Sequence, residues 1–198
     1  MGRGKESTDI LKEKMADALL ALMKEKPLDK VTIQEITERA KVGRVTYFRN
    51  FNSKIEMLTF KLVKLWDCWS EENNLSPIDL YCLDNSYDFF AFNYRYRDII
   101  DLIYAQGAEL AIFDAASEIF SRRSSQDDSY IFLFLAHGLY GCLSEWVKNN
   151  YRETPMEMAQ FVASIGNLAA TDKLKAKKIL PRENQDSRAK ESLDENKN

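Results

Sequence analysis

The sequence predicts an all-α protein of about nine helices, with an N-terminal three-helix helix-turn-helix domain and a larger C-terminal helical bundle. Three observations favour this fold class. Apolar residues recur three and four positions apart along most of the chain, and no strand-like alternation dominates. Capping boxes, in which a Ser or Thr precedes a Glu by three residues, stand before several of these segments. Finally, a tight turn joins two short helical patterns between residues 32 and 50.

Composition narrows the class of protein. Of the 198 residues, 45% are hydrophobic and 12% are aromatic, which is enough to fill a core. No run approaches the ~18 apolar residues of a membrane span, and no secretory signal precedes the first amphipathic helix. Cys68, Cys82 and Cys142 are odd in number and widely spaced, which favours buried small apolar residues in a reducing cytosol over a metal or redox site. We therefore expect a folded cytoplasmic protein without a cofactor or metal.

Charge is distributed unevenly along the chain. The formal net charge is −3, yet residues 1–60 hold 12 basic against 9 acidic residues, while the remainder holds 16 against 22. A positive N-terminal third on an acidic chain fits local binding to nucleic acid. Solvated helix faces scatter charge in the same way, so the asymmetry is only supporting evidence.

The first helix is expected from about Thr8 to Lys26, with Pro27 ending it. Its buried stripe is predicted to consist of Ile10, Leu11, Met15, Leu19, Leu22 and Met23. Arg3 and Lys5 precede this helix in an arm that either contacts phosphate groups or is simply a disordered start.

The second helix is expected to open at a capping box formed by Thr32 and Glu35. The apolar residues that share one face of this helix are Ile33, Ile36 and Ala40. Val31, which precedes the cap, can pack against Ile36 as a hydrophobic staple.

A break at residues 41–43 separates this helix from a third, short helix over Arg44 to Asn50. Val45 and Phe48 lie three positions apart on one side of it. Ser53 and Glu56 form another capping box, which opens a longer fourth helix. A helix, a tight turn and a short helix bearing Arg, Thr and Asn are typical of a motif that reads DNA.

The same stretch resembles a known family. Residues 40–51, AKVGRVTYFRNF, followed by Ser53, Lys54 and Glu56, are similar to the signature of the TetR family of one-component transcriptional regulators, roughly AGVSRxTFYRNFxSKEEL. The resemblance covers about residues 8–60 and implies binding to double-stranded operator DNA. The alternative is an amphipathic helical bundle that shows short capped helices without binding DNA.

The resemblance implies roles for individual residues. Phosphate anchors are expected at Thr32, Phe48 and Lys54, two of which stand at helix starts where backbone amides favour phosphate oxygens. The expected reading face consists of Arg44, Val45, Thr46 and Asn50. Gly43 and Arg49 complete the predicted DNA-binding residues.

Three positions depart from the family signature. Lys41 replaces the usual Gly at a helix C-terminal position that favours left-handed backbone. Gly43 replaces the usual Ser N-cap and contributes no side-chain acceptor. Tyr47 and Phe48 reverse the usual Phe-Tyr pair. Phe48 therefore lacks the hydroxyl group with which the family's Tyr donates a hydrogen bond to a phosphate.

The remaining helices belong to the C-terminal bundle. The fourth helix, over about residues 54–73, is too long for a small DNA domain alone and is expected to connect the two halves. Ser76 and Pro77 start a new helix. Five helices are expected after this break, over about 77–95, 97–106, 108–122, 129–151 and 155–170. The predicted organisation is a helix-turn-helix domain at 1–53, the connector, an effector-binding and dimerisation domain at 74–170, and a mobile polar tail at 171–198.

A second resemblance lies in residues 132–162, FLFLAHGLYGCLSEWVKNNYRETPMEMAQFV. The segment is similar to the C-terminal part of a subset of TetR-type regulators that includes those related to the dihydroxyacetone-kinase regulator. Small residues in it allow close helix approach, and apolar residues supply area, as in a four-helix homodimer contact. The predicted interface residues are Leu135, Gly138, Leu139, Cys142, Trp146 and Phe161. Packing of these helices within one chain is the alternative.

The C-terminal half is rich in Phe and Tyr. The resemblance implies an effector cavity among its helices, and Phe89, Phe92 and Tyr104 are the candidate lining residues. Aromatic residues at helical spacing are more often core, which is the alternative. His137, the sole histidine, is expected to be a polar interface residue.

Two functional hypotheses follow. The chain has no Ser-His-Asp set, metal-ligand spacing or phosphate-binding Gly loop, so an enzyme is not expected. The favoured hypothesis is a homodimeric repressor whose operator affinity changes when a small effector binds the C-terminal domain. The alternative is a regulator or activator controlled by a protein partner on that acidic half. Release from DNA by a small molecule or by a second protein distinguishes them.

Overall fold

A computed structural model describes the backbone of residues 3–75, 83–122 and 129–170, and the side chains of residues 8–75, 86–119, 121–122 and 137–165. Within these ranges the chain forms nine α-helices, one 3-10 turn at Leu28–Lys30 and no strand. The helices are α1 (Arg3–Met23), α2 (Ile33–Ala40), α3 (Arg44–Asn50), α4 (Lys54–Glu72), α5 (Leu83–Arg95), α6 (Arg97–Ala105), α7 (Leu110–Ser121), α8 (Ser129–Lys148) and α9 (Pro155–Ala170). The predicted all-α class and helix order are confirmed. The predicted start at Ser76–Pro77 and the tail at 171–198 lie outside the described residues.

The N-terminal head is built by α1 packing against α2, α3 and the connector α4. Its core includes Met15, Leu19, Ile36 and Met57, all fully buried. The prediction that Ile10 is buried was wrong, because 51% of its surface is exposed. At that level of α1 the neighbouring Asp9 pairs instead with Lys64 of α4 at 2.8 Å.

The connector α4 packs against both α1 and α7 and so contacts both halves. Its buried apolar residues include Leu58, Leu62 and Trp66. Ion pairs support both contacts: Lys61 reaches Asp17 of α1 at 2.7 Å, and Arg122 beyond α7 reaches Asp67 at 3.0 Å.

In the C-terminal half, α5 packs against α9 and α6, and α7 packs against α8. Trp146 of α8 is buried and its ring lies 5.4 Å from that of Phe90 and 5.0 Å from that of Tyr151. Its indole nitrogen donates to the carbonyl oxygen of Glu153 at 2.9 Å. Over the part of the chain with described structure, none of the helices combines the length and apolar character needed to cross a bilayer.

Two capping boxes form in full, one of them at the predicted position Thr32. The Thr32–Glu35 and Thr154–Glu157 pairs each satisfy both backbone amides. The third, at Ser53, forms only in part: the Ser53 hydroxyl accepts from the amide of Glu56 at 3.0 Å, but the Glu56 carboxylate accepts from the amide of Asn52 at 2.7 Å. The reciprocal bond therefore reaches one residue earlier than predicted, and the Asn52 side-chain amide also donates to this carboxylate at 3.1 Å.

Candidate DNA-binding surface

Helix α3 is held on the head by its inner aromatic residues. Tyr47 is buried, and so is Phe51 directly after the helix. The ring of Phe51 lies 6.3 Å from that of Tyr47 and 5.8 Å from that of Phe60 on α4. Burial raises the pKa of the Tyr47 hydroxyl above its usual range. Tyr47 is thus a structural residue, and it fixes which side of α3 faces outward.

The outer face of α3 presents apolar and cationic groups together. Val45 and Phe48 each have 63% of their surface exposed, and Arg44 and Arg49 are also exposed. The Phe48 ring stands edge-on to Tyr47 at 5.2 Å. The two guanidinium groups can donate to base edges or phosphates, and the apolar pair beside them can contact thymine methyl groups.

Two of the predicted reading residues are less open. Thr46 is half-buried, and Asn50 is half-buried with its side-chain amide donating to the carbonyl oxygen of Thr46 at 2.7 Å. The structure therefore brings Arg44, Val45, Phe48 and Arg49 onto one surface, while Thr46 and Asn50 lie at its margin.

The turn before α3 depends on a left-handed residue. Lys41 caps α2 with φ 54° and ψ 46°, which is left-handed backbone. This is the geometry that a Gly normally supplies, as predicted for this position. Gly43 has φ −75° and caps α3 without a side-chain hydrogen bond. A Cβ atom built on Gly43 would meet only the Thr46 hydroxyl, at 4.0 Å, so no close approach requires glycine there.

The predicted phosphate anchors have additional structural partners. The exposed Thr32 hydroxyl donates to Glu35 at 2.8 Å within the capping box, and Glu35 also pairs with Lys26. The hydrogen bond from Lys26, followed by those from Thr32, lowers the pKa of Glu35 to about 2. These bonds fix the start of α2 through three side chains.

Lys54 is half-buried at the start of α4. Its ammonium group donates to the carbonyl oxygen of Leu28 and, at 3.0 Å, to that of Val31. No side-chain pattern indicates this arrangement, since the partners are backbone groups. Lys54 thus connects α4 to the loop that leads into α2.

The predicted dimer residues divide into two groups. Gly138 and Phe161 are exposed, and Cys142 is half-buried. Leu139 and Trp146 are buried within the single chain, where they belong to the core against which α8 packs. The side chain of Leu135 lies outside the described residues. Additional exposed apolar residues on α9, which the sequence reading missed, are Met156 and Ile165.

The predicted effector residues also divide. Phe89 and Phe92 line a small cavity between α4, α5, α6 and α7, together with Leu62, Trp66, Ile100, Ile112 and the buried Asn93. The cavity has a volume of about 20 Å³, which is room for one or two waters. Tyr104 lies elsewhere, with its hydroxyl buried beside Ser144 and Tyr140, and burial raises its pKa to about 12. The ring of His137 lies 4.7 Å from that of Phe113.

Among the described residues, no group of three or more His, Cys, Asp or Glu side chains is placed to hold a metal ion.

Comparison with known proteins gives matches in both halves of the chain. Residues 16–59 match the family model described as bacterial regulatory proteins, tetR family, and residues 92–167 match the one described as a transcriptional regulator C-terminal region. A search of curated proteins gives no match. The fold is similar to the crystal structure of a TetR transcriptional regulator from Rhodococcus sp. RHA1, with 17% identity and a TM-score of 0.52. The similarity covers 83% of this chain and 97% of that chain, and at this identity it concerns the fold.

Proposed function

We propose that the chain is a member of the TetR family of bacterial regulatory proteins, whose models match both of its halves, and that it is a homodimeric repressor of transcription. Each chain of the dimer contacts one half-site of an operator through α3. An effector bound in the C-terminal half changes the affinity of the pair for that operator.

The outer face of α3 is the observation that supports DNA reading most directly. Val45 and Phe48 are largely exposed although the core of the head is adjacent, and Arg44 and Arg49 flank them. Exposed apolar side chains that stand together and are rimmed by charged groups can mark an interaction site. A base edge with a thymine methyl group, beside phosphate oxygens, matches both the apolar and the cationic parts of this face.

The phosphate contacts proposed for Thr32 and Lys54 are supported by their positions at the starts of α2 and α4. Backbone amides and the helix dipole favour an anion at both places. Since the Lys54 ammonium group also bonds two carbonyl oxygens, its contribution to binding is partly to hold these two helix starts in a fixed arrangement.

The proposed dimer interface is the outer face of α8 and α9. Gly138 and Gly141 are exposed, and a Cβ atom at either would meet nothing within 4 Å. Met156, Phe161 and Ile165 expose apolar surface on α9. Small residues on one helix and large apolar ones on the other allow the paired helices of two chains to pack closely.

The proposed effector site is the apolar cavity that Trp66 of α4 and Phe92 of α5 line. Because α4 also starts at the DNA-binding surface, a ligand that enlarges this cavity would move the head. We further propose that the C-terminal half belongs to the subset related to the dihydroxyacetone-kinase regulator, a proposal supported by the motif in residues 132–162.

Selection of bound duplexes from a random pool tests the function. The expected product is a palindromic site whose two halves are centred about one helical turn apart or a multiple of it. Sedimentation or light scattering should show a dimer, and Phe161→Glu should yield monomers that lose the palindromic site but keep weak binding to DNA in general.

A chain that remains monomeric and binds no duplex at modest salt would overturn the proposal. Release from the selected site by a second protein, with no response to small molecules, would replace the effector with a protein partner.

A further inference from the structure

Gln106, at the end of α6, joins the C-terminal half directly to the N-terminal head. Its side-chain oxygen accepts from the amide of Leu28 at 2.8 Å, and its side-chain nitrogen donates to the carbonyl oxygen of Met23 at 3.0 Å. The partners are 78 and 83 residues away along the chain. A single side chain thus bonds two separate points of the head.

Both bonded groups are backbone groups at helix ends. Met23 is the last residue of α1, and Leu28 is the first residue of the 3-10 turn. Carbonyls at the end of a helix and amides at the start of one have no partner within their own helix. Gln106 supplies one donor and one acceptor at the same time, which a carboxylate of the same shape cannot do.

The end of α6 is itself fixed, so the position of Gln106 is defined. The amide of Gly107 bonds the carbonyl oxygen of Tyr104 at 3.1 Å, and that of Ala108 bonds Ile103 at 3.0 Å. This is a Schellman motif, and it needs the left-handed backbone of Gly107, whose φ is 64°. Ala108 and Ile103 are both buried, which completes the motif with an apolar contact.

The contact continues from Leu28 towards the DNA-binding surface. The amide of Leu28 is held by Gln106, and its carbonyl oxygen is held by Lys54 at the start of α4. Lys54 also holds the carbonyl oxygen of Val31, one residue before the cap of α2. The end of α6 and the starts of α2 and α4 are therefore connected through the backbone of residues 28–31.

The geometry points to Gln106 as a positioning residue for DNA binding, an inference that rests on the proposed function. In a dimer held together by the C-terminal halves, the distance between the two α3 helices depends on how each head is fixed to its own half. Gln106 fixes the orientation of the head relative to the C-terminal half through two hydrogen bonds. It thereby sets which half-site spacing the dimer accepts, without contacting DNA.

The test compares Gln106→Glu and Gln106→Met with the unaltered full-length chain. Glu keeps the length and the acceptor but places a carboxylate oxygen against the Met23 carbonyl oxygen; Met keeps the length and removes both bonds. Asn149→Asp is the matched control, since Asn149 is an exposed amide that donates to Glu145 at 3.1 Å on α8. Binding is measured to the selected palindrome and to versions with the spacer lengthened or shortened by one base pair.

For both Gln106 variants, the expected loss is about tenfold in affinity for the selected spacing, the equivalent of one or two hydrogen bonds. Affinity for the altered spacings should fall less, so that the preference for one spacing flattens. A purely structural role would lower the melting temperature and leave the spacing preference of the folded protein unchanged, which would overturn the inference. So would unchanged binding by Gln106→Met. Failure of the unaltered chain to bind any duplex would overturn the proposed function first, and this inference with it.

Discussion

Lys54 donates a hydrogen bond to the carbonyl oxygen of Val31 at 3.0 Å, across 23 residues of sequence. The same ammonium group donates to the carbonyl oxygen of Leu28. The family signature associates this position with phosphate contact, yet in this chain its side chain also connects the starts of α2 and α4. Substitutions at this position should affect folding and DNA binding together.

Lys54→Met should lower the free energy of unfolding by about 1–2 kcal/mol, because it removes two charge-assisted hydrogen bonds from a half-buried site. It should also lower the affinity for operator and for random duplexes by the same factor, since no base contact is lost. Urea unfolding and fluorescence anisotropy measure the two effects. Lys24→Met, at an exposed lysine, should change stability by less than about 0.5 kcal/mol. Unfolding equal to that of the unaltered chain would contradict the structural role.

Arg44→Ala should cost about 1–3 kcal/mol on the selected operator and much less on random DNA, because a guanidinium that reads a base contributes mainly to specific binding. Arg152→Ala is a suitable control, since that side chain is 79% exposed in the C-terminal half. Titration of both duplexes gives the comparison. Equal losses on the two duplexes would exclude Arg44 as a reading residue.

Phe48→Tyr should increase affinity for all duplexes by roughly two- to tenfold, the value of one added hydrogen bond. The ring is exposed on α3, so a hydroxyl group can be added without burying it. The salt dependence of binding should stay the same, because no charge is added. No gain in affinity would show that this ring does not stand next to a phosphate.

Lys41→Gly should stabilise the protein by about 0.5–1 kcal/mol, because a lysine in left-handed backbone is strained and glycine is not. The opposite result is expected for Lys14→Gly, at an exposed position inside α1, where glycine should cost about 1 kcal/mol. Thermal or urea unfolding measures both. If Lys41→Gly destabilises the protein as Lys14→Gly does, the turn does not require left-handed geometry.

Glu35 should make stability depend on pH in the acid range. Its pKa falls from 4.5 to about 2 in the folded chain, chiefly through Lys26 and then through the Thr32 amide and hydroxyl. Because the folded state binds this proton more weakly than the unfolded state, the stabilisation is complete above about pH 5 and is lost as pH falls towards 2. The difference in melting temperature between the unaltered chain and Glu35→Gln should therefore shrink over that range. A constant difference would contradict the assigned pKa.

Local signals predicted much of the fold. The cap of α2 at Thr32 depends on Glu35, only three residues away, so it could be inferred from the sequence. Burial was harder to predict, because it depends on which neighbour covers a face. Ile10 has the right spacing for the stripe on α1 but is exposed, whereas Trp146 is enclosed by its own chain.

The candidate site was predictable only where it depends on residue type. Exposed Arg44 and Phe48 fit the motif, and the motif lies in one short segment. The bonds of Gln106 and Lys54 end on backbone carbonyls and on an amide, groups that nearly every residue carries. No pattern of side chains marks such partners when dozens of residues separate them, so only the three-dimensional structure identifies them.

The seven-residue length of α3 has a consequence for how this protein can change over generations. A helix so short, with no side-chain cap at Gly43, does not persist alone in water. Its shape comes from Tyr47 and from Phe51 just beyond it, while its outward positions take little part in folding. Under the proposed function, mutations at those outward positions would alter the preferred DNA sequence and leave the scaffold intact, so descendants of this chain would acquire new target genes at little cost to stability.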